Sequence, residues 1–573
     1  MSRTSPVSLA TPAAAVENDG LLHGRAKNAA LAAIFLSIFV SMLASTVVGS
    51  SMPLIIADLG GGQAAYTWVI TATMLATAIS TPIWGKLADL SSKKLLLQLA
   101  LVIFTLGTIL AGFAPDANWL IGFRVLQGLG GGGLAALGQI VMADIISPRE
   151  RGKYMGVMGA VMAVPTIGGP LLGGVITDAF GWRWNFFVSV PVAIVAIIIL
   201  QKSLHLVTLK RKVKIDYLGA VLISAGFSSL LIWATLGGSQ FDWWSWQTLA
   251  MAGGGVVVLI AAVFVELTVE EPMIPLTLFK NRTFTMAVIA SLAVGVAMFG
   301  TAIFLGQYMQ LARGKTPTES GLLTIPMMLG LLIASTIVGQ IISRTGKWKR
   351  YVVLGAILMG IGLALMGQLR SDTSFWYVGV SMAVLGAGVG MCMQNLVLIV
   401  QNTVAPTEIG VASSSVTFFR TIGGTAGMSV LGAMLGTQVI DFVASGLKKL
   451  DPSQLAGAEA LQGGGIPKVA ELPLPIREVV EAAYGHAIGD IFLAAVPLAL
   501  VALIAIAFLP NIPLGNKTTS QLLAEKARAR AASGEQDPAL AESAVDAELA
   551  LAGADPAPSS AAHAESGSVD SRD

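Results

Sequence analysis

Long apolar runs alternate with short polar or Gly-rich connections from residue 29 to residue 510 of this chain. A run of about 20 such residues, coiled as a helix, covers the ~30 Å hydrocarbon core of a bilayer. In lipid every backbone N–H and C=O must be satisfied within the protein, and a helix does this along its own length. The segments 29–51, 66–85, 95–114, 118–143, 154–177, 184–202, 217–236, 247–267, 284–311, 320–342, 351–369, 375–401, 412–437 and 487–510 predict about fourteen spanning helices. The expected fold class is all-α and polytopic. The first run is too long for a signal-peptide core and leads into further spans, so it is expected to stay as an uncleaved first helix.

The positive charges orient this pattern. With the N-terminus inside, about seventeen Lys and Arg residues fall in inside loops and about four in short outside loops, which places both termini in the cytoplasm. The aromatic outside loop 241–247 has the make-up of an interfacial anchor. Three stretches fall outside the apolar pattern. Residues 1–28 and 511–573 are polar tails expected to be disordered, and 438–486 reads as a long outside loop with a short amphipathic stretch at 476–484.

Composition narrows the function classes. Of 573 residues, 54% are hydrophobic and 12% charged, and mean hydropathy is +0.76, against about 25% charged in a soluble domain. No soluble core of any size is expected, nor the polar cluster an enzyme needs. A net charge of +2 is no nucleic-acid footprint, and none of that partner class is expected. Cys392 is the single cysteine and lies in an apolar run, which excludes disulfides and thiolate metal sites. His23, His205, His486 and His563 sit in tails or at segment ends, so no metal or other cofactor is expected.

An internal repeat at an offset of about 255 residues organises the spans. Residues 85–94 (GKLADLSSKK) align with 339–348 (GQIISRTGKW), and 147–152 (SPRERG) with 405–410 (APTEIG). Gly128, Gly130 and Gly132 align with Gly386, Gly388 and Gly390. The chain divides accordingly into a six-helix half at 29–203, an inserted pair with its loops at 204–282, and a second six-helix half at 283–510. What fails to repeat is more informative. Asp89 faces Ser343, Asp144 faces Asn402 and Arg124 faces Met382. A cation at membrane depth costs about 2.5–3.5 kcal/mol on insertion scales, so Arg124, followed by Gln127 and a ladder of glycines, reads as functional. Arg420, in the thirteenth segment, is the second such cation. Asp89 and Lys93, after the second segment, and Asp144, at the inner end of the fourth, form a charge group suited to holding two helix ends together and releasing them.

These motifs resemble those of the major facilitator transporters. GKLADLSSKK is similar to the loop after that superfamily's second span, with Gly85, Asp89 and Lys93 in place, and LIGFRVLQGLGGGG (120–133) to its fourth-span motif. Residues 159–176 resemble the antiporter motif of drug exporters, carried by Gly168, Gly169, Pro170, Gly173 and Gly174. WRWNFFVSVP (182–191), the inserted pair and residues 271–284 resemble the fourteen-span drug:proton antiporter branch of EmrB/QacA type. The resemblance implies two six-helix bundles plus an inserted pair, a monomer in a bacterial cytoplasmic membrane, and export of hydrophobic or amphiphilic compounds in exchange for protons. A dedicated exporter of a lipid or natural product is the alternative. It also implies a substrate cavity, for which Met162, Gln307, Tyr308, Gln394, Asn395 and Phe418 are candidates beside Gln127. At the first-span position where the family usually has an aspartate this chain has Ala44. Any coupling acid must then come from elsewhere. Asp58, Asp144, Glu266, Asp178 and Asp490 are all near span ends, and Asp178 and Asp490 are the candidates for the proton pathway.

Overall fold

The computed structural model describes residues 24–60, 63–203, 216–237, 241–269, 272–315, 317–405, 408–451 and 472–515. Among them the regular structure is helical, with one isolated bridge between Gly237 and Phe241. The N-terminal half holds α1 (Gly24–Asp58), α2 (Gln63–Leu90), α3 (Lys93–Gly112), α4 (Ala117–Ile145), α5 (Pro148–Phe180), the short α6 (Trp184–Phe187) and α7 (Val190–Ser203). The inserted pair is α8 (Tyr217–Leu236), then the single turn α9 (Trp246–Thr248), a π turn and α10 (Gly254–Thr268). The second half holds α11 (Arg282–Gln307), α12 (Pro317–Leu323), α13 (Ile325–Thr345), α14 (Lys349–Met366), α15 (Phe375–Gln401), α16 (Ile409–Leu447) and α17 (Leu474–Ala507).

Eleven helical stretches among the described residues are long and apolar enough to cross a membrane. The expected count of fourteen needs α2, α5 and α8 in addition, and the apolar part of α8 is shorter, at 218–233. The outside loop expected at 438–486 is in part helix, because α16 and α17 run past their apolar cores to Leu447 and back to Leu474. Gly446 lets them touch there: a Cβ on it would strike the Val479 side chain. The amphipathic stretch at 476–484 is the first part of α17. Residues 511–515, expected in the C-terminal tail, bind the second half, with Trp348 Nε1 donating to the Ile512 carbonyl at 2.7 Å and Asn402 bonding Pro513 and Gly515. The remaining tail residues, 1–23 and 516–573, lie outside the described residues.

The repeat is visible in packing. α4 lies between α2 and α3, and α15 lies between α13 and α14. Gly128 and Gly132 back onto α2 while Gly130 backs onto α3; likewise Gly386 and Gly390 back onto α13 while Gly388 backs onto α14. Lacking side chains, these glycines bring helix backbones into contact in lipid, where packing, not exclusion of water, drives association. A Cβ at Gly130 would meet the Phe104 backbone nitrogen and, at 2.6 Å, the Ala100 carbonyl oxygen, whereas at Gly122 it would meet nothing within 4 Å. Gly130→Ala is therefore expected to destabilise the protein by about 1–3 kcal/mol through overpacking. Gly122→Ala should be neutral or slightly stabilising. Thermal unfolding of the two variants in detergent checks the contrast.

Each half has its own apolar core. They meet where α5 packs on α13 and α2 on α16.

Candidate transport cavity and gate

One face of α4 builds the site. Arg124, Gln127, Gly128, Gly131, Leu134, Ala135 and Gln139 follow helical spacing and all line one cavity of about 260 Å³. From Arg124 to Gln139 the face extends roughly 22 Å at 1.5 Å per residue. α1, α2, α3 (through Phe104) and α5 supply the rest of the first-half wall, and α11, α15 and α16 of the second half close it with Met298, Phe299, Met393, Gln394, Thr417, Arg420, Thr421 and Thr425. Small-molecule sites run to about 300–1,000 Å³, so a compact ligand fits.

Arg124 is 5% exposed. Its Nη1 donates to Gln127 Oε1 at 2.6 Å, and Gln127 Nε2 donates to Thr108 Oγ1 at 2.8 Å. This chain of bonds holds one end of the guanidinium and leaves Arg124 Nε without a hydrogen-bond partner. Arg420 is 4% exposed and donates from Nη1 to the Met393 carbonyl at 3.0 Å, so it does not reach to the membrane surface. Both predicted intramembrane cations thus line the same cavity, one from each half. Met382, the repeat partner of Arg124, is buried in the second core.

The remaining wall is soft. Six of its 25 described residues are Met (Met42, Met74, Met158, Met162, Met298 and Met393), against 22 in the whole chain. Unbranched thioether side chains repack around ligands of different shape at small cost. Among the predicted cavity residues, Gln127, Met162 and Gln394 line it, and Gln394 Oε1 has no hydrogen-bond partner.

Four predicted cavity residues do not line it. Gln307 and Tyr308 lie where α11 passes into a π turn, and the Tyr308 hydroxyl donates to the Arg370 carbonyl at 2.8 Å. Asn395 turns its amide back to the Met391 carbonyl of its own helix. Phe418 faces the inserted pair instead, edge-on to Phe227 at 4.8 Å. Residue type selected these four, but the helical face they occupy points elsewhere. Gln139, with its Oε1 unpartnered, was missed; its position four turns after Arg124 is the signal that finds it.

No Asp or Glu appears among the described lining residues. Asp58 accepts from Trp182 Nε1 at 2.7 Å, Asp144 pairs with Lys93, and Glu266 accepts the backbone N–H groups of Met273 and Ile274 at 3.1 Å. Asp490 is half-buried on α17, away from the cavity, so it does not join Arg124 and Arg420 as expected. The side chains of Asp178 and Pro170 lie outside the described residues. Ala44, at the position of the family acid, is fully buried in the first core and also off the cavity wall.

About two turns beyond Thr77, on the side assigned to the cytoplasm, α2 crosses the start of α16. A Cβ on Gly85 would strike the Ser414 side chain, and one on Gly410 would strike Asp89 Oδ1. The Asp89 carboxylate accepts the backbone N–H groups of Gly410 and Val411 at 3.0 and 2.9 Å. It therefore sits on the positive N-terminal end of a helix from the other half. Lys93 pairs with Asp144 at 2.8 Å and does not form the expected ion pair with Asp89. The acid bridges the halves, while Lys93 and Asp144 tie α3 to α4 within one half.

The antiporter motif on α5 behaves unevenly. Gly169 backs onto Thr46 of α1, whose hydroxyl donates to the Pro165 carbonyl at 2.8 Å, and the Gly173 carbonyl accepts from Ser51 at 3.4 Å. A Cβ added at Gly168 or Gly174 would meet nothing within 4 Å, so these two do not contribute the tight packing expected of the whole motif.

The family model described as Major Facilitator Superfamily matches residues 34–216 and 209–428. The chain is 36% identical over 405 residues to the multidrug transporter protein MdtP of Bacillus subtilis, covering 71% of this chain and 74% of that one. It is 31% identical over 499 residues to multidrug resistance protein 3 of the same organism, covering 85% and 96%. The crystal structure of the human organic anion transporter MFSD10 shares the fold at a TM-score of 0.55 and 13% identity, covering 82% of this chain and 99% of that one. A duplicated helical membrane scaffold, a cavity shared by its halves and these similarities agree: the chain belongs to the Major Facilitator Superfamily, is of its drug-efflux type, and is a transporter, not an enzyme.

Proposed function

We propose that the protein is a secondary-active exporter of hydrophobic or amphiphilic compounds, working as a monomer in the cytoplasmic membrane by alternating access between its two halves. The observation that carries this reading is the Met-rich cavity walled by both halves, in which Arg124 has no counterpart across the repeat. The crossing of α2 and α16, held by Asp89, acts as the cytoplasmic gate. The names of two similar Bacillus subtilis proteins, a multidrug transporter and a multidrug resistance protein, support drug-like cargo.

Proton exchange is the proposed driver. Each charge moving through 100 mV releases about 2.3 kcal/mol, enough for a roughly fifty-fold gradient of a neutral compound. In inside-out vesicles with an acidic lumen, dye accumulation is expected to rise several-fold over vesicles without a gradient and to collapse on adding an uncoupler. Accumulation insensitive to the uncoupler would remove proton coupling and retain the exporter. A dedicated exporter of a lipid or natural product with weaker coupling is the second reading, favoured by Ala44 and by a described cavity wall free of carboxylates.

A further inference from the structure

We propose that the cavity selects amphiphiles with an anionic head group, such as a carboxylate, sulfonate or phosphate, held between Arg124 of the first half and Arg420 of the second. This rests on the exporter reading and adds the charge of the cargo. Each guanidinium has five N–H donors in a fixed fork that matches an oxyanion. The hydrogen bonds formed are one from Arg124 to the Gln127 amide oxygen and one from Arg420 to the Met393 carbonyl, both neutral acceptors. Arg124 Nε is buried with no partner. Neither arginine forms an ion pair among the described residues, and no described wall residue is acidic. Two buried cations in one cavity therefore await a negative charge supplied by the ligand, since a buried charge left unpaired is costly. A cationic amphiphile would meet two like charges and no acid. The methionines of the wall suit the apolar body of the ligand and leave its head group to the arginines.

The charge also bears on energetics. Export of a monoanion from a negative interior is favoured by the membrane potential, which at 100 mV alone sustains a roughly fifty-fold gradient. Anionic cargo thus provides a driving force that does not depend on a proton-binding acid in the cavity.

Three compact probes sharing one dansylamidopropyl body test this: the carboxylate, its primary amide and a trimethylammonium analogue. Binding to the full-length protein in nanodiscs is read by dansyl fluorescence, and export is read separately in proteoliposomes. The carboxylate is expected to bind about tenfold more tightly than the amide, a difference of about 1.4 kcal/mol, with the ammonium weakest. Arg124→Gln and Arg420→Gln should each reduce the carboxylate-to-amide ratio to about threefold or less, while Arg124→Lys and Arg420→Lys keep more of it. The ratio is taken on one preparation, so partial misfolding of a variant does not change it. Equal binding of carboxylate and amide, preference for the ammonium, no binding of any probe, or a ratio unchanged in both Gln variants would overturn the proposal. Displacement of the carboxylate probe by excess sodium sulfate alone would show an inorganic-anion site and overturn the amphiphile assignment. Export of all three probes without preference would remove the charge selection and leave the exporter standing. Selective binding without export of any probe would do the reverse.

Discussion

Replacing Arg124 with alanine is expected to lower efflux by about 100-fold while the protein still reaches the membrane in near-normal amount. The substitution removes the charged donor from the cavity and leaves Gln127 Oε1 without its 2.6 Å bond. Hydrogen bonds to charged groups contribute about 1.5–3 kcal/mol, and 2.7 kcal/mol is a factor of roughly 100 in rate. Arg124→Lys keeps the charge without the planar fork and should retain part of the activity. Met382→Leu is the matched control, since it alters the repeat-related position by a volume-conserving change that costs under about 1.5 kcal/mol. Its transport should stay within about twofold of wild type on that basis. Vesicle efflux measured beside membrane abundance separates the outcomes, and wild-type efflux by Arg124→Ala would withdraw the assignment.

The second large effect is expected at the cytoplasmic crossing. Asp89→Ala removes both bonds to the Gly410 and Val411 N–H groups and the negative charge at the N-terminal end of α16. A loss of about 2 kcal/mol from the closed arrangement raises the ratio of open to closed molecules roughly thirtyfold. A cysteine placed at Thr417, on the cavity wall, should then react about that much faster with a membrane-impermeant maleimide applied from the cytoplasmic side. Asp89→Asn retains one acceptor oxygen and should be intermediate. Gly410→Ala, whose methyl would strike Asp89, should shift the labelling in the same direction. Unchanged labelling in all three variants would show that this contact does not hold the cytoplasmic side shut.

How much of this was legible in the sequence depends on what each residue must avoid. A charge inside an apolar run is costly wherever it points, so Arg124 and Arg420 stand out from sequence alone, and comparison of the two halves sets Arg124 apart. The glycine ladders were legible because backbone contact in lipid needs them in both halves. Met42, Met74, Met158, Met298 and Met393 were not, since a methionine on a cavity wall and one packed against a neighbouring helix have the same spacing and the same polarity. Tyr308 and Phe418 were assigned by type, and type does not say which of several neighbours a helical face meets. The partners of Asp89 are backbone N–H groups, which leave no mark on side-chain pattern, so Lys93 was the expected partner and a helix end is the observed one. The docking of the inserted pair was equally hidden.

That docking has a consequence for turnover. α8 rests on both α2 and α16, with Ile83, Ile223, Phe227 and Phe418 in one apolar cluster, and the buried Lys86 ammonium acts electrostatically on Glu266 of α10. It therefore straddles the crossing of α2 and α16, and under the proposed alternating access one set of these contacts is expected to slip each time that crossing parts. On that reading the two additional helices are expected to damp the opening, and Phe227→Ala, which lies off the described cavity wall, should change the transport rate without changing which compounds are carried.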